Sequence, residues 1–266
     1  MNRTAIESRF QGWVTRRIPG RDLMRFRTGF ALIWVIYDCI DFATGQTQGF
    51  INGMMPGSGA GLFDLIQVAL IACGWMVVLG VRARVFLFVG VLLRLSEACF
   101  FQLNDFLYQA VVASILCGLD FDGTRKDPGS VSAWPRQVLV LQTAWIYLAS
   151  AVLKLNPSFL SGGDLYVRHQ HQLAVSSLPY PDFFRNGVSA LTVNQGMAWA
   201  TVIFELALPL MLLAGNFGKH PKRGFRWAAL GLAILIHGYA ALGLNVFFFS
   251  ASLLAQIYFL SREPRL

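Results

Sequence analysis

Charged side chains are scarce in this sequence. They make up 14% of its 266 residues, where a soluble domain carries about 25%. Together with a 55% share of hydrophobic residues and a mean hydropathy of +0.53, that scarcity excludes an ordinary water-soluble globule and calls for lipid. Cysteine is sparse as well. Cys39, Cys73, Cys99 and Cys117 all fall in apolar segments, with no C-x-x-C pair and no zinc spacing. They read as small buried hydrophobes and report no redox compartment. The first 25 residues lack the continuous apolar stretch of a secretory signal, so the start is read as mature sequence. No H-E-x-x-H, G-x-S-x-G, P-loop or C-x-x-C-H motif is present. The GSGAG run ending at Gly61 has no strand before it and no basic residue after it, which removes the nucleotide-loop reading. The formal charge of +8 is dispersed between hydrophobic segments, which excludes nucleic acid as a partner.

What the chain does contain is a series of apolar segments. They run at 26–43, 63–80, 85–103, 106–121, 136–154, 197–215, 226–243 and 245–260, and a membrane-crossing helix needs roughly 20 residues. The expected fold is therefore an all-α, polytopic integral membrane helix bundle of about eight transmembrane helices. Orientation follows from the Lys and Arg count. Of the 22 basic residues, eighteen fall on one side of this arrangement, Arg168 and Arg185 lie in loops on the other, and Arg94 and Lys154 sit within or at the ends of spans. Both termini are thus expected in the cytoplasm. Residues 1–25 form a basic segment, read either as an amphipathic helix on an anionic membrane surface or as a disordered tail. Residues 26–260 form a single transmembrane domain with outside loops at 44–62 and 155–195, and 261–266 is a cytoplasmic tail. The 155–195 loop is long enough to be a functional lid.

Ionisable groups inside a membrane are costly, so each is a candidate for function. They are Asp38, Arg94, Glu97, Asp105, Lys154, Glu205 and His237. Arg94 and Glu97 stand three apart on one helix and can pair, as a structural ion pair or as part of a site. Lys154 closes the fifth span, where a lysine either snorkels to headgroups or becomes a desolvated base or anion holder. Glu205 precedes Pro209 by four residues, a spacing that frees its carbonyl and kinks the helix. His237 reads as an interior hydrogen-bonded histidine or as a ligand. His169 and His171 share a face on a strand and diverge on a helix. A metal would need a third ligand, so none is expected.

The residues also resemble a family. RFRTGFALIWVIYD, LGVRARV, FQLNDFLYQ, GLDFDG, QTAWIYLASAVLKLNPSFLSGGDL, FELALP and IHGYAALGLNVFFFSASLLA occur in order along the spanning region. Together they are similar to the HTTM (horizontally transferred transmembrane) family, related to the membrane domain of vitamin K-dependent gamma-carboxylase. The resemblance implies a cytoplasmic N-terminus and a reaction site opening outward. It also implies that Lys154 falls on the base that couples hydroquinone oxygenation to removal of a glutamyl proton. Asn104 falls on the asparagine of an Asn-His pair, and His237 falls near a histidine of the seventh span. The histidine after that asparagine is Asp105 here, and the chain has no counterpart of the large lumenal region that engages protein substrate. Glutamyl carboxylation itself is therefore not expected.

Two functional expectations follow. The first is an enzyme with an outward-facing cavity acting on a quinone-like or peptide substrate, with Lys154, Asp105 and His237 as catalytic residues and Asn104, Glu205, Arg94, Glu97, Arg168 and His169 binding substrate. A quinone or reduced vitamin K as cofactor enters through the resemblance alone. The second is a non-catalytic membrane scaffold or accessory subunit whose polar residues fix helix packing. A transporter is disfavoured by the lack of an inverted repeat. Membrane lipid is the expected surrounding, in a bacterial cytoplasmic (inner) membrane or, with similar topology, a eukaryotic endomembrane. The sequence carries no signal for oligomeric state.

Overall fold

Among the described residues each apolar segment is helical, because runs of Leu, Ala, Val, Ile and Phe satisfy their own backbone hydrogen bonds in that form and no other local form does, and Pro209 lies within one continuous helix, Gly187–Asn216. The computed structural model describes residues 17–44, 60–101, 104–118, 129–175, 187–217, 222–244 and 247–262. In chain order the elements are β1 (Arg17–Pro19), α1 (Gly20–Thr44), α2 (Ala60–Leu79), α3 (Ala83–Phe101), α4 (Asn104–Cys117), β2 (Ser130–Ser132) and α5 (Trp134–Lys154). They continue with α6 (Pro157–Leu160), α7 (Gly163–Val175), α8 (Gly187–Asn216), α9 (Arg223–Leu244) and α10 (Phe247–Ser261). Among the described residues the fold is all-α apart from the two short strands. Three of the described helices are long and apolar enough to cross a membrane, at Gly61–Leu79, Trp134–Lys154 and Ala190–Asn216. Tyr108–Cys117 and Ser250–Ser261 are apolar but shorter.

The outward faces of the helices are as informative as their length. On α5, Leu141, Trp145, Leu148 and Val152 are exposed at steps of four, three and four residues, one continuous apolar stripe. Thr143, Tyr147, Ser150 and Lys154, each two residues on, lie on the opposite side. A helix that shows its apolar stripe outward and turns its polar stripe inward is built for an apolar surrounding.

The chain divides into two compact units, residues 1–139 with 264–266 and residues 140–263. In the first, consecutive helices α1 to α4 pack in succession. Gly90 of α3 leaves the space that the Trp34 indole of α1 fills, and Gly74 of α2 does the same for Val35. The α2–α3 turn is a Schellman stop: Val81 N–H bonds to Met76 O at 2.9 Å and Gly80 N–H to Val77 O at 3.1 Å, with Gly80 at φ 72°. β1 and β2 form a two-stranded antiparallel ribbon that pairs Arg17 with Ser132, Ile18 with Val131 and Pro19 with Ser130.

In the second unit, α8, α9 and α10 pack together, and the short α6 and α7 lie against α8, with α7 also meeting α9. Asn156 starts α6 by accepting the Phe159 N–H at 2.9 Å, and Pro157 occupies the first helical position, where its missing N–H costs nothing. Gly162 then turns the chain into α7 with φ 82°, pressed onto the backbone of Asn194 and Gln195 in α8.

Three sequence expectations change here. Ile18 does not lie on an amphipathic helix running from the N-terminus. It precedes Pro19, which forces extended backbone, and its side chain is buried in the ribbon; residues 1–16 of that expected segment lie outside the described residues. The segment 155–195 contains two helices, with 176–186 outside the described residues. The sixth apolar helix begins at Gly187 and not near 197, because Val188 to Asn194 hold no breaker to stop it. Of the loop expected at 44–62, residues 45–59 lie outside the described residues.

Gly162 is the position where this arrangement tolerates least change. A side chain there meets α8 backbone and forces an L-residue into the left-handed region, which alone costs about 1–2 kcal/mol. Gly162→Ala is expected to lower stability by at least that amount, measured as thermal unfolding of the detergent-held protein, whereas Gly163→Ala, whose added methyl meets only Ser158 O and Ser161 Oγ at an ordinary 3.5 Å, is expected to change it by less than about 1 kcal/mol.

Candidate functional site

The polar stripe of α5 organises the second unit. Thr143, Tyr147, Ser150 and Lys154 span twelve residues, about 16 Å along the helix, and each meets a side chain from another helix. At the N-terminal end the Gln256 amide of α10 donates to Thr143 Oγ1 at 2.6 Å and to Gln142 Oε1 at 2.8 Å. In the middle the Tyr147 hydroxyl hydrogen-bonds His237 Nε2 of α9, with the two rings edge to face at 5.7 Å. His237 Nδ1 faces Ser250 Oγ of α10 at 3.3 Å.

At the C-terminal end Lys154 Nζ donates to both carboxylate oxygens of Glu205 in α8, at 2.7 and 2.9 Å, and to Ser150 Oγ at 2.5 Å. Ser150 in turn donates to Glu205 Oε1 at 3.1 Å. The Phe159 ring of α6 stands 5.9 Å from Nζ and covers the ammonium. The lysine side chain keeps 28% exposure and the glutamate 8%. Lys154 therefore turns into the protein and does not reach away from it. A proton on Lys154 can move to Glu205 without changing the net charge of the pair, which is the chemistry that this arrangement makes available.

His169 is placed by α7, a helix, so it and His171 diverge; the His171 side chain is outside the described residues. His169 is fully buried between two helices. Its Nδ1 bonds Asn194 Oδ1 of α8 at 2.5 Å, and its Nε2 bonds the Tyr239 hydroxyl of α9 at 2.8 Å. Burial holds its pKa below the ordinary 6.5, with the Asn194 hydrogen bond opposing part of that fall. Arg168, the next residue, is exposed.

The remaining candidates belong to the first unit. Arg94 is buried in α3 and forks between two carboxylates, Nη2 to Asp38 Oδ1 at 2.5 Å and Nη1 to Glu97 Oε2 at 2.6 Å. The Trp34 ring lies 5.3 Å from the guanidinium carbon. One helical turn from Asp38, Asp41 accepts from Gln67 Nε2 of α2 at 2.5 Å. Asn104 and Asp105 open α4, and their side chains lie outside the described residues. Among the described residues no group of three or more His, Cys, Asp or Glu side chains could hold a metal ion.

The structure thus joins Lys154 to Glu205, His237 to Tyr147 on the same helix face as Lys154, and Arg94 to Glu97. It adds Tyr147, Ser150, Ser250, Asn194, Tyr239 and Asp38 as partners that sequence reasoning had not paired. The signal for Ser150 and Tyr147 is their position four and seven residues back from Lys154, on the same helix face. No family model, curated protein or solved structure matches this chain.

Removing the guanidinium strands two buried carboxylates, which costs about 3–5 kcal/mol. Arg94→Met is expected to show that loss in thermal unfolding. Arg94→Lys is expected to recover less than half of it, because an ammonium lacks the planar fork that reaches Asp38 and Glu97 together. Full recovery by lysine would mean that charge alone, and not the forked geometry, holds α1 to α3.

Proposed function

We propose that this chain is a polytopic membrane protein of the HTTM type, with about eight crossings, both termini cytoplasmic and residence in a bacterial inner membrane. In this reading it is an enzyme whose outward-facing site acts on a quinone-like or peptide substrate. The observation that carries the proposal is the posture of Lys154, held by Glu205 and Ser150 beneath Phe159. A lysine recruited only to anchor a helix end would extend to headgroups. This one is kept beside a group that can take its proton.

The roles follow from that pairing. Transfer of a proton from Lys154 Nζ to Glu205 leaves a neutral amine and a carboxylic acid in place of an ion pair. The amine lone pair then accepts a proton from the bound substrate and Lys154 is again an ammonium, while Glu205 returns its proton to the medium or to the product. Ser150 holds both partners in line. Tyr147 and His237 supply the next exchangeable hydrogen along the stripe, and Arg168 remains a proposed substrate contact. A quinone or reduced vitamin K is the proposed co-substrate by resemblance, with membrane lipid as solvent.

A second reading, a non-catalytic scaffold, is favoured by the Asp38–Arg94–Glu97 cluster, which joins helices deep in the first unit and has the character of a packing device. The two readings part at Lys154. Arginine preserves the ion pair but cannot give up its proton. In nanodiscs supplied with a reduced naphthoquinone, wild-type protein is expected to consume oxygen, and Lys154→Arg to lose at least about 100-fold of that rate with an unfolding temperature close to wild type. Oxygen uptake that survives the substitution would remove Lys154 as the base, and a wild type with no uptake at all would favour the scaffold.

A further inference from the structure

We propose that α6 and α7 form a lid over the Lys154–Glu205 pair, latched by His169 and released when that histidine gains a second proton. The inference rests on the functional reading of Lys154 and adds its regulation.

The lid is a defined body. Asn156 caps α6, Ser158 Oγ donates to Asp164 Oδ1 of α7 at 2.6 Å, and Gly162 turns one helix into the other. Its underside is apolar: Phe159 and Leu165 pack on Ala198 and Val202 of α8, with Leu160, Met197 and Leu206 beside them. That same Phe159 ring covers Lys154. Access to the pair from this side requires the underside to leave α8, and such contacts among small apolar groups have no directional lock.

His169 supplies the lock. Asn194 Nδ2 donates to Ala190 O at 2.7 Å, which fixes the amide so that Oδ1 faces the imidazole. An oxygen there requires Nδ1 to carry hydrogen, and the neutral ring is then left with Nε2 as an acceptor for the Tyr239 hydroxyl. The latch therefore works in one tautomer and one charge state. A second proton on Nε2 takes away the lone pair that Tyr239 uses and places a cation in a fully buried position. The latch also stands on the site's own helices: Asn194 and Glu205 share α8, and Tyr239 and His237 share α9.

The titratable and charged groups on the packed elements, besides His169 itself, are Asp164, Tyr166, Arg168 and His171 on α7, the last with its side chain outside the described residues, Glu205 on α8, and Tyr239 and His237 on α9. Arg223 and Arg226 lie at the far end of α9, and α6 has none. Because burial lowers the pKa of His169 in the closed state, the closed lid binds fewer protons than the open one. Its stability is full above the ordinary imidazole value of 6.5 and falls as pH drops through and below it.

Backbone amide exchange over residues 157–175 of the full chain in nanodiscs, corrected for intrinsic rates, reads this opening without any substrate. Between about pH 7.5 and about pH 5.5, wild type is expected to lose severalfold, and at most about tenfold, of its protection in this segment. His169→Gln, whose side-chain amide can serve both partners but does not titrate, is expected to change by less than about twofold. Tyr239→Phe is expected to lower protection already at the higher pH. A wild type equally protected at both pH values overturns the latch, as does a pH-driven loss of equal size in His169→Gln. Wild-type protection in Tyr239→Phe overturns it as well and decides the matter if His169→Gln does not fold. Failure here leaves the Lys154 chemistry standing, and failure of the Lys154→Arg test leaves the latch standing.

Discussion

A polar side chain on an apolar helix has to be met by another polar side chain, and α5 imposes that condition along its whole inner face. Gln256 answers Thr143, His237 answers Tyr147, and Glu205 answers Ser150 and Lys154. The three answering residues come from α10, α9 and α8, so the stripe sets the rotation and depth of each of these helices about a common axis. Apolar packing alone would tolerate sliding of one helix past another, since one leucine surface resembles the next. Discrete hydrogen bonds do not, and a slip of one residue would turn the stripe by about 100° away from its partners.

The two units use their buried charges differently. In the first, the charge belongs to arginine, which stays protonated and reaches two carboxylates at once over the Trp34 ring. Such a group fixes geometry and has no other state to visit. In the second, the charge belongs to a lysine facing a carboxylate, and this pair has two arrangements of equal net charge. The chemistry proposed above depends on that difference more than on the presence of charge as such.

The apolar helices were legible in the sequence because length and composition suffice to recognise them, and Arg94 with Glu97 was legible because three residues on a helix are neighbours. Asp38 was visible as a candidate but not as their partner, since 56 residues separate it from Arg94 and no local rule spans that distance. Lys154 and Glu205 stood out singly for the same reason. Tyr147 and Ser150 were hidden by their surroundings: in an apolar run an aromatic hydroxyl and a serine raise no alarm. Only the offset between 143, 147, 150, 154 and the exposed apolar 141, 145, 148, 152 gives them away. Ile18 was misplaced because its helical spacing was weighed and the proline after it was not.

The small ribbon of β1 and β2 has a bearing on how the chain is made. Arg17 Nη1 bonds Ser130 O at 2.9 Å across 113 residues of sequence, and Gly20 N–H, at the start of α1, bonds Gly129 O at 2.7 Å. Neither bond can form until synthesis has passed residue 130, when α1 to α4 have already been made. The first helix therefore forms with its leading end unfastened, and the clasp closes a loop of over a hundred residues in a late step. Assembly of the first unit is in this sense a purse drawn shut from behind, with the string pulled by the segment that leads into the fifth helix.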